Sequence, residues 1–189
     1  MGRSRKSPKI LIAGLGNFLL RDDGIGVQAV RELRKNHPPR VRVVKVVEVG
    51  TAVHDALHFF EWADRILAID AMQAGSSPGT LYLLPVSEAE GRRPQASMHE
   101  LTLLAALGFL PCGKRPDIVI LGVEPEIIDY GPELSPKVEA ALPAVIHSVM
   151  KIVDYWKRTP TRANKAENPD SLKSIGETSL EDRRTAGAG

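Results

Sequence analysis

The segment from Ile10 to Val30, ILIAGLGNFLLRDDGIGVQAV, constrains the fold more than any other part of the chain. It joins an apolar run to a helical rhythm through a loop that carries two adjacent carboxylates. Ile10, Leu11 and Ile12 have the continuously apolar, β-branched character of a buried strand, and Gly14 and Gly16 are expected to end it in a turn. Asp22, Asp23, Gly24 and Gly26 follow, and then Val27, Val30 and Leu33 recur at the spacing of one helix face. Strand, charged loop and helix in this order make the opening βα unit of an α/β domain. In such domains ligands gather in the crevice beyond the carboxyl ends of the strands.

Three readings of the loop compete. A dinucleotide-binding G-x-G-x-x-G would need glycine where Leu19 stands, and the helix begins too late to offer its N-terminus to a pyrophosphate. A capping role suits one of Asp22 and Asp23, since Asp is favoured just before a helix, but it leaves the other unexplained. In the third reading one carboxylate caps or orients while the other faces the crevice.

The rest of the chain continues the alternation. His37-Pro38-Pro39 must end the first helix, and Val41 to Val49 reads as a second strand. A short helical segment, Val53 to Trp62, leads to a third strand over residues 65–70 that finishes on Asp70. Residues 80–86 form a further strand without an intervening helix. Ser97-Met98-His99-Glu100 has the form of a capping box, which places His99 in the first turn of a helix running to Gly108. Asp117 to Val123 is the fifth strand, followed by Glu124, Pro125 and Glu126. From Pro136 a long helix with an apolar stripe runs to about Lys157, and Pro143 should kink or break it. The expected architecture is a three-layer αβα sandwich on a mostly parallel, twisted five-stranded sheet with one antiparallel strand.

At 189 residues and 43% hydrophobic content the chain has the size of one domain. Residues 1–8 read as a flexible basic N-terminus, 9–157 as the single α/β domain, and 158–189, nearly devoid of apolar residues, as a disordered tail. The net charge of +2 is not organised into a basic stripe with interleaved aromatics, which argues against nucleic acid as a partner. The single cysteine, Cys112, excludes an internal disulfide and suits a reducing cytoplasm. No apolar run reaches the length of a membrane span, and the chain is expected to act as a monomer.

Strand ends thus supply Asp22 or Asp23 and Asp70, and a helix start supplies His99. Two carboxylates and one imidazole from three loops on one sheet edge make an N/O ligand set with open positions, suited to zinc, nickel, manganese or iron. Other motifs fail on context. Gly75-Ser76-Ser77-Pro78-Gly79 has the letters of a nucleophile elbow but precedes a strand instead of a helix. His99-Glu100 is not followed by the second His of H-E-x-x-H, since Thr102 and Leu103 come next. His54 and His58, spaced i, i+4, fit an amphipathic surface helix better than a metal site.

GLGNFLLRDDGIG, the strand ending Asp70-Ala71, Ser97-Met98-His99, LGVEP and the helix start Leu134-Ser135-Pro136 together resemble the hydrogenase maturation endopeptidases over about residues 9–156. The resemblance implies that Asp23, Asp70 and His99 are both the metal-contacting and the catalytic residues. Asp22 holds a supporting position, with Gly14, Gly16 and Asn17 shaping the loop. It further implies removal of a C-terminal extension from the large-subunit precursor of a nickel-iron hydrogenase after nickel insertion, which activates that enzyme. The nickel is then the substrate's own, and zinc is among the ions that could occupy the site instead. The non-enzymatic alternative is an assembly factor or metallochaperone that docks the loaded subunit without cutting it. Substrate choice is expected from the loops around 72–79 and 87–98. The chain departs from the family at Gly50-Thr51-Ala52-Val53, where a further glycine is common.

Overall fold

The computed structural model describes residues 7–39, 41–86, 98–111, 116–159 and 161, with the side chains of Met98, Glu100, Leu101 and Leu104 left undescribed. Five strands form one sheet: β1 (Ile10–Leu15), β2 (Val44–Gly50), β3 (Arg65–Ala71), β4 (Leu81–Val86) and β5 (Asp117–Val123), in the order β2-β1-β3-β5-β4. All neighbours are parallel except β4, which runs antiparallel to β5 at one edge. The helices are α1 (Ile25–Asn36), α2 (Leu57–Trp62), α3 (Met98–Leu107) and α4 (Pro136–Arg158), with 3₁₀ turns at Arg21–Gly24 and Val53–Ala56.

Alternation along the central strands explains the layering, because successive side chains of a strand face opposite ways. Ile10 and Ile12 of β1 and Leu67 and Ile69 of β3 pack with Val30 of α1 and with Val145, Val149 and Trp156 of α4. Leu11 and Ala13 of β1 and Ile66 and Ala68 of β3 pack on the other face with Phe60 of α2 and Leu103 of α3. The three-layer αβα sandwich and the mixed sheet are therefore as the sequence pattern requires.

Four local expectations need correction. The first strand does not stop at Gly14. It runs through to Leu15 and ends at Gly16, whose φ of +102° is the left-handed backbone that favours glycine. Gly14 serves close approach instead, since a Cβ there would lie 2.2 Å from the carbonyl oxygen of Gly26 in the first turn of α1. The second strand starts at Val44, three residues later than the apolar run suggests. Helix α4 continues past Pro143; the bond that proline forfeits falls on an exposed side, where water can satisfy the orphaned carbonyl. Finally, neither Asp22 nor Asp23 caps α1, whose N-cap is Gly24 with no side-chain bond.

The loop at Gly75–Gly79 precedes β4, as its sequence context requires. His54 and His58 are both exposed. Ser97, the proposed capping residue of α3, Cys112 and nearly all of the expected tail lie outside the described residues. No helix among the described residues is long and apolar enough to cross a membrane.

Candidate active site

Because β3 lies between β1 and β5, the loops leaving β1 and β5 flank the end of β3, where Asp70 sits. These two loops are bonded to each other. Arg21 N donates to the Gly131 carbonyl (2.7 Å), Gly131 N to the Leu19 carbonyl (2.8 Å) and Asp22 N to the Ile127 carbonyl (3.2 Å). Arg21 is held at φ 49°, a left-handed conformation that costs a non-glycine residue roughly 1 kcal/mol. The surrounding bonds over-determine it.

Asp22 is the centre of that junction. Its side chain is fully buried and accepts hydrogen bonds from Glu126 N (2.8 Å), Ile127 N (2.8 Å), Ser135 N (2.7 Å) and Ser135 Oγ (2.8 Å). Burying a carboxylate is tolerable only when its lone pairs are used in this way. Ser135 stands at the N-cap of α4, yet its hydroxyl turns to Asp22 and makes no cap bond. One carboxylate thereby joins the β1 loop, the β5 loop and the start of α4.

Asp23 points the other way. Its Oδ2 accepts from Asn17 N (2.7 Å), and Asn17 in turn accepts from Leu19 N through its side chain (3.0 Å), so Asn17 shapes the loop that presents Asp23. A Cβ on Gly16 would lie 1.8 Å from the Asp23 carbonyl oxygen and 3.6 Å from Asp70 Oδ1, so a bare glycine is required where the two acids approach. Asp70 Oδ1 accepts from the following amide, Ala71 N (3.0 Å).

His99, in the first turn of α3, completes the group. Its Nδ1 lies 3.4 Å from Asp70 Oδ1 and its Nε2 3.8 Å from Asp23 Oδ2, so the ring bridges the two carboxylates. The side chains are exposed to different degrees: 2% for Asp70, 13% for Asp23 and 18% for His99. Asp70 is the inner member and the other two reach solvent. Hydrogen bonding to Asp70 raises the His99 pKa above its usual 6.5; burial opposes this, and the charges of Asp70 and Asp23 add to it. The three side chains singled out in the sequence thus converge, and Asp22 is set apart from them.

Closed in this way, the trio is not a ready ion cage. Among the described residues no group of three or more His, Cys, Asp or Glu side chains is arranged to hold a metal. The donor types fit a borderline or hard divalent ion, but each imidazole nitrogen already faces a carboxylate, so an arriving ion would have to displace one of those contacts.

One buried carboxylate at this end of the sheet escaped the sequence reading. Glu124, just after β5, accepts from Ala74 N (2.9 Å), Gly75 N (3.1 Å) and the Tyr82 hydroxyl (2.5 Å). Burial would raise its pKa, but the hydrogen bonds from Tyr82 and from the Ala74, Gly75 and Ser76 backbone prevail and hold it below the usual 4.5. It anchors the loop that follows β3. Its only sequence signal was an acid directly after a fully apolar strand.

The profile of the hydrogenase maturation protease family matches residues 27–152, about two thirds of the chain, and the chain belongs to that family. It is a peptidase, a hydrogenase maturation endopeptidase. HybD, the hydrogenase maturating endopeptidase of E. coli, is similar in structure with a TM-score of 0.70 at 30% identity, over 78% of this chain and 93% of that one. The [NiFe] hydrogenase maturation protease HybD of Thermococcus kodakarensis has a TM-score of 0.65 at 29% identity, over 77% of this chain and 99% of that one. The hydrogenase expression/formation protein HupM of Azotobacter chroococcum mcd 1 is 32% identical over 171 residues, 85% of this chain and 79% of that one.

Proposed function

We propose that this peptidase removes a C-terminal extension from the large-subunit precursor of a nickel-iron hydrogenase, acting in the cytoplasm after nickel has been inserted. The observation that carries the proposal is the His99 ring held between Asp23 and Asp70 at the C-terminal end of β3. In this reading the nickel belongs to the substrate. Asp23, Asp70 and His99 meet it as an incomplete ligand set, and the precursor supplies the rest. A precursor without nickel leaves the imidazole paired with its carboxylates, so nickel acts as the signal of finished assembly.

Peptide hydrolysis needs a base to take a proton from water and an acid to deliver one to the departing nitrogen. Asp23 is the more solvent-accessible carboxylate and is the proposed base. Water oxygen attacks the scissile carbonyl carbon as its proton passes to Asp23. The carbon–nitrogen bond then breaks as Asp23 passes that proton on to the departing amine and is regenerated as a carboxylate, while His99, oriented by Asp70, stays on the nickel. The nickel requirement is tested by equilibrium binding of nickel-loaded and nickel-free precursor to the wild type and to His99→Ala. Preference for the loaded form in the wild type, abolished in the variant, is expected. Equal affinity of the wild type for both forms would overturn the nickel signal.

A further inference from the structure

Among the described residues eight large hydrophobic side chains are exposed, and five of them, Phe18, Leu19, Ile127, Ile128 and Tyr130, stand on the two bonded loops beside the site. Isolated exposed apolar residues are ordinary, whereas a cluster marks an interaction surface. This cluster is also held in place. Leu19 and Gly131 are joined through their backbones, Ile127 is bonded to Asp22 through both its amide and its carbonyl, and Phe18 is backed by the Arg31 guanidinium 4.9 Å from its ring. Asp23 lies on the same loop as Phe18 and Leu19, and Asn17 is bonded to both Asp23 and Leu19, so one loop carries part of the rim and a catalytic carboxylate.

We propose that this rim is the docking surface for an apolar segment of the precursor protein and that it contributes to KM and not to the chemical step. The inference rests on the proteolytic reading of the site and adds where the substrate is gripped. Two other occupants fit less well. Residues 160–189 of this chain offer only Leu172, Ile175 and Leu180 as large aliphatic groups, against five on the rim. A second copy seated there would sit at the mouth of its neighbour's site and oppose the activity.

The test uses full-length protein carrying Leu19→Ser with Ile128→Ser, positions that are 41% and 43% exposed. Met150→Ser is the control: this residue is 44% exposed and borders a separate groove shared with His37 at the far end of α1. Cleavage kinetics and equilibrium binding of nickel-loaded precursor are measured, with thermal unfolding and sedimentation alongside. The rim variant is expected to raise KM and Kd on the order of tenfold, with kcat within about twofold of the wild type and the control unchanged. Unaltered KM and Kd in the rim variant, with normal wild-type cleavage, would overturn the rim and leave the proteolytic reading standing. Wild-type binding without cleavage, lost in the rim variant, would keep the rim and overturn the proteolytic reading. A wild-type dimer dissociated by the rim substitutions, with precursor binding unchanged, would assign the surface to self-association. Absence of both binding and cleavage in the wild type would overturn both proposals.

Discussion

Among the described residues four buried or half-buried carboxylates stand around the C-terminal ends of β1, β3 and β5, and their surroundings divide them into two pairs. Asp22 and Glu124 are buried and surrounded by backbone amides and hydroxyls from other segments; they fasten loops to one another. Asp23 and Asp70 both reach toward one imidazole. The contrast is sharpest at Asp22 and Asp23, adjacent in sequence and opposite in role. A carboxylate whose acceptor sites are taken up by fixed donors is a structural joint. One that shares its capacity with a titratable ring can exchange partners when a substrate arrives.

Asp23→Asn, Asp70→Asn and His99→Ala should each lower precursor cleavage on the order of a thousandfold in a single-turnover assay, and change the unfolding free energy less than Asp22→Ala does. Asp22→Ala should do the reverse in kind. It leaves Ser135 and the amides of Glu126 and Ile127 without their acceptor, and urea unfolding should register a loss of about 3 kcal/mol. If Asp22→Ala proved stable and inactive, the division into joints and working acids would fail.

Tyr82→Phe removes one donor from Glu124, and chemical denaturation should show a loss of roughly 1 kcal/mol with cleavage preserved. The pH dependence of stability should then differ in sign between the pairs. Glu124 has a lowered folded pKa, so its contribution is present above the ordinary 4.5 and disappears as pH falls through the folded value. His99 has a raised folded pKa, so its contribution is complete below the ordinary 6.5 and disappears as pH rises through the folded value. Denaturation of the wild type against Glu124→Gln and His99→Gln across a pH series would expose the two trends. Parallel trends would contradict the assignment.

Much of this was legible from the chain, for physical reasons that also explain the gaps. The strands could be read because both faces of a parallel sheet are covered, which demands continuous apolar runs such as ILIAGL and RILAID. Asp70 and His99 could be singled out because one ends such a run and the other opens a helical pattern. The partners of Asp22 and Ser135 could not be read, because each has a local capping alternative that loses to a partner 113 residues away. Glu124 depends on Ala74, Gly75 and Tyr82, and sequence spacing does not announce such contacts. Gly14 reads as a turn residue because close approach of a helix leaves no mark in the local pattern. The exposed pairs Phe18-Leu19 and Ile127-Ile128 sit in loops, where apolar residues have no periodicity to interpret.

The most direct test of the central claim is the intact mass of a hydrogenase large-subunit precursor after incubation with this protein, with and without nickel in the precursor. Loss of a C-terminal peptide from the nickel-loaded form alone is expected, with no loss when Asp23→Asn replaces the wild type. An unchanged mass in the loaded form, or equal cleavage of both forms, would contradict it.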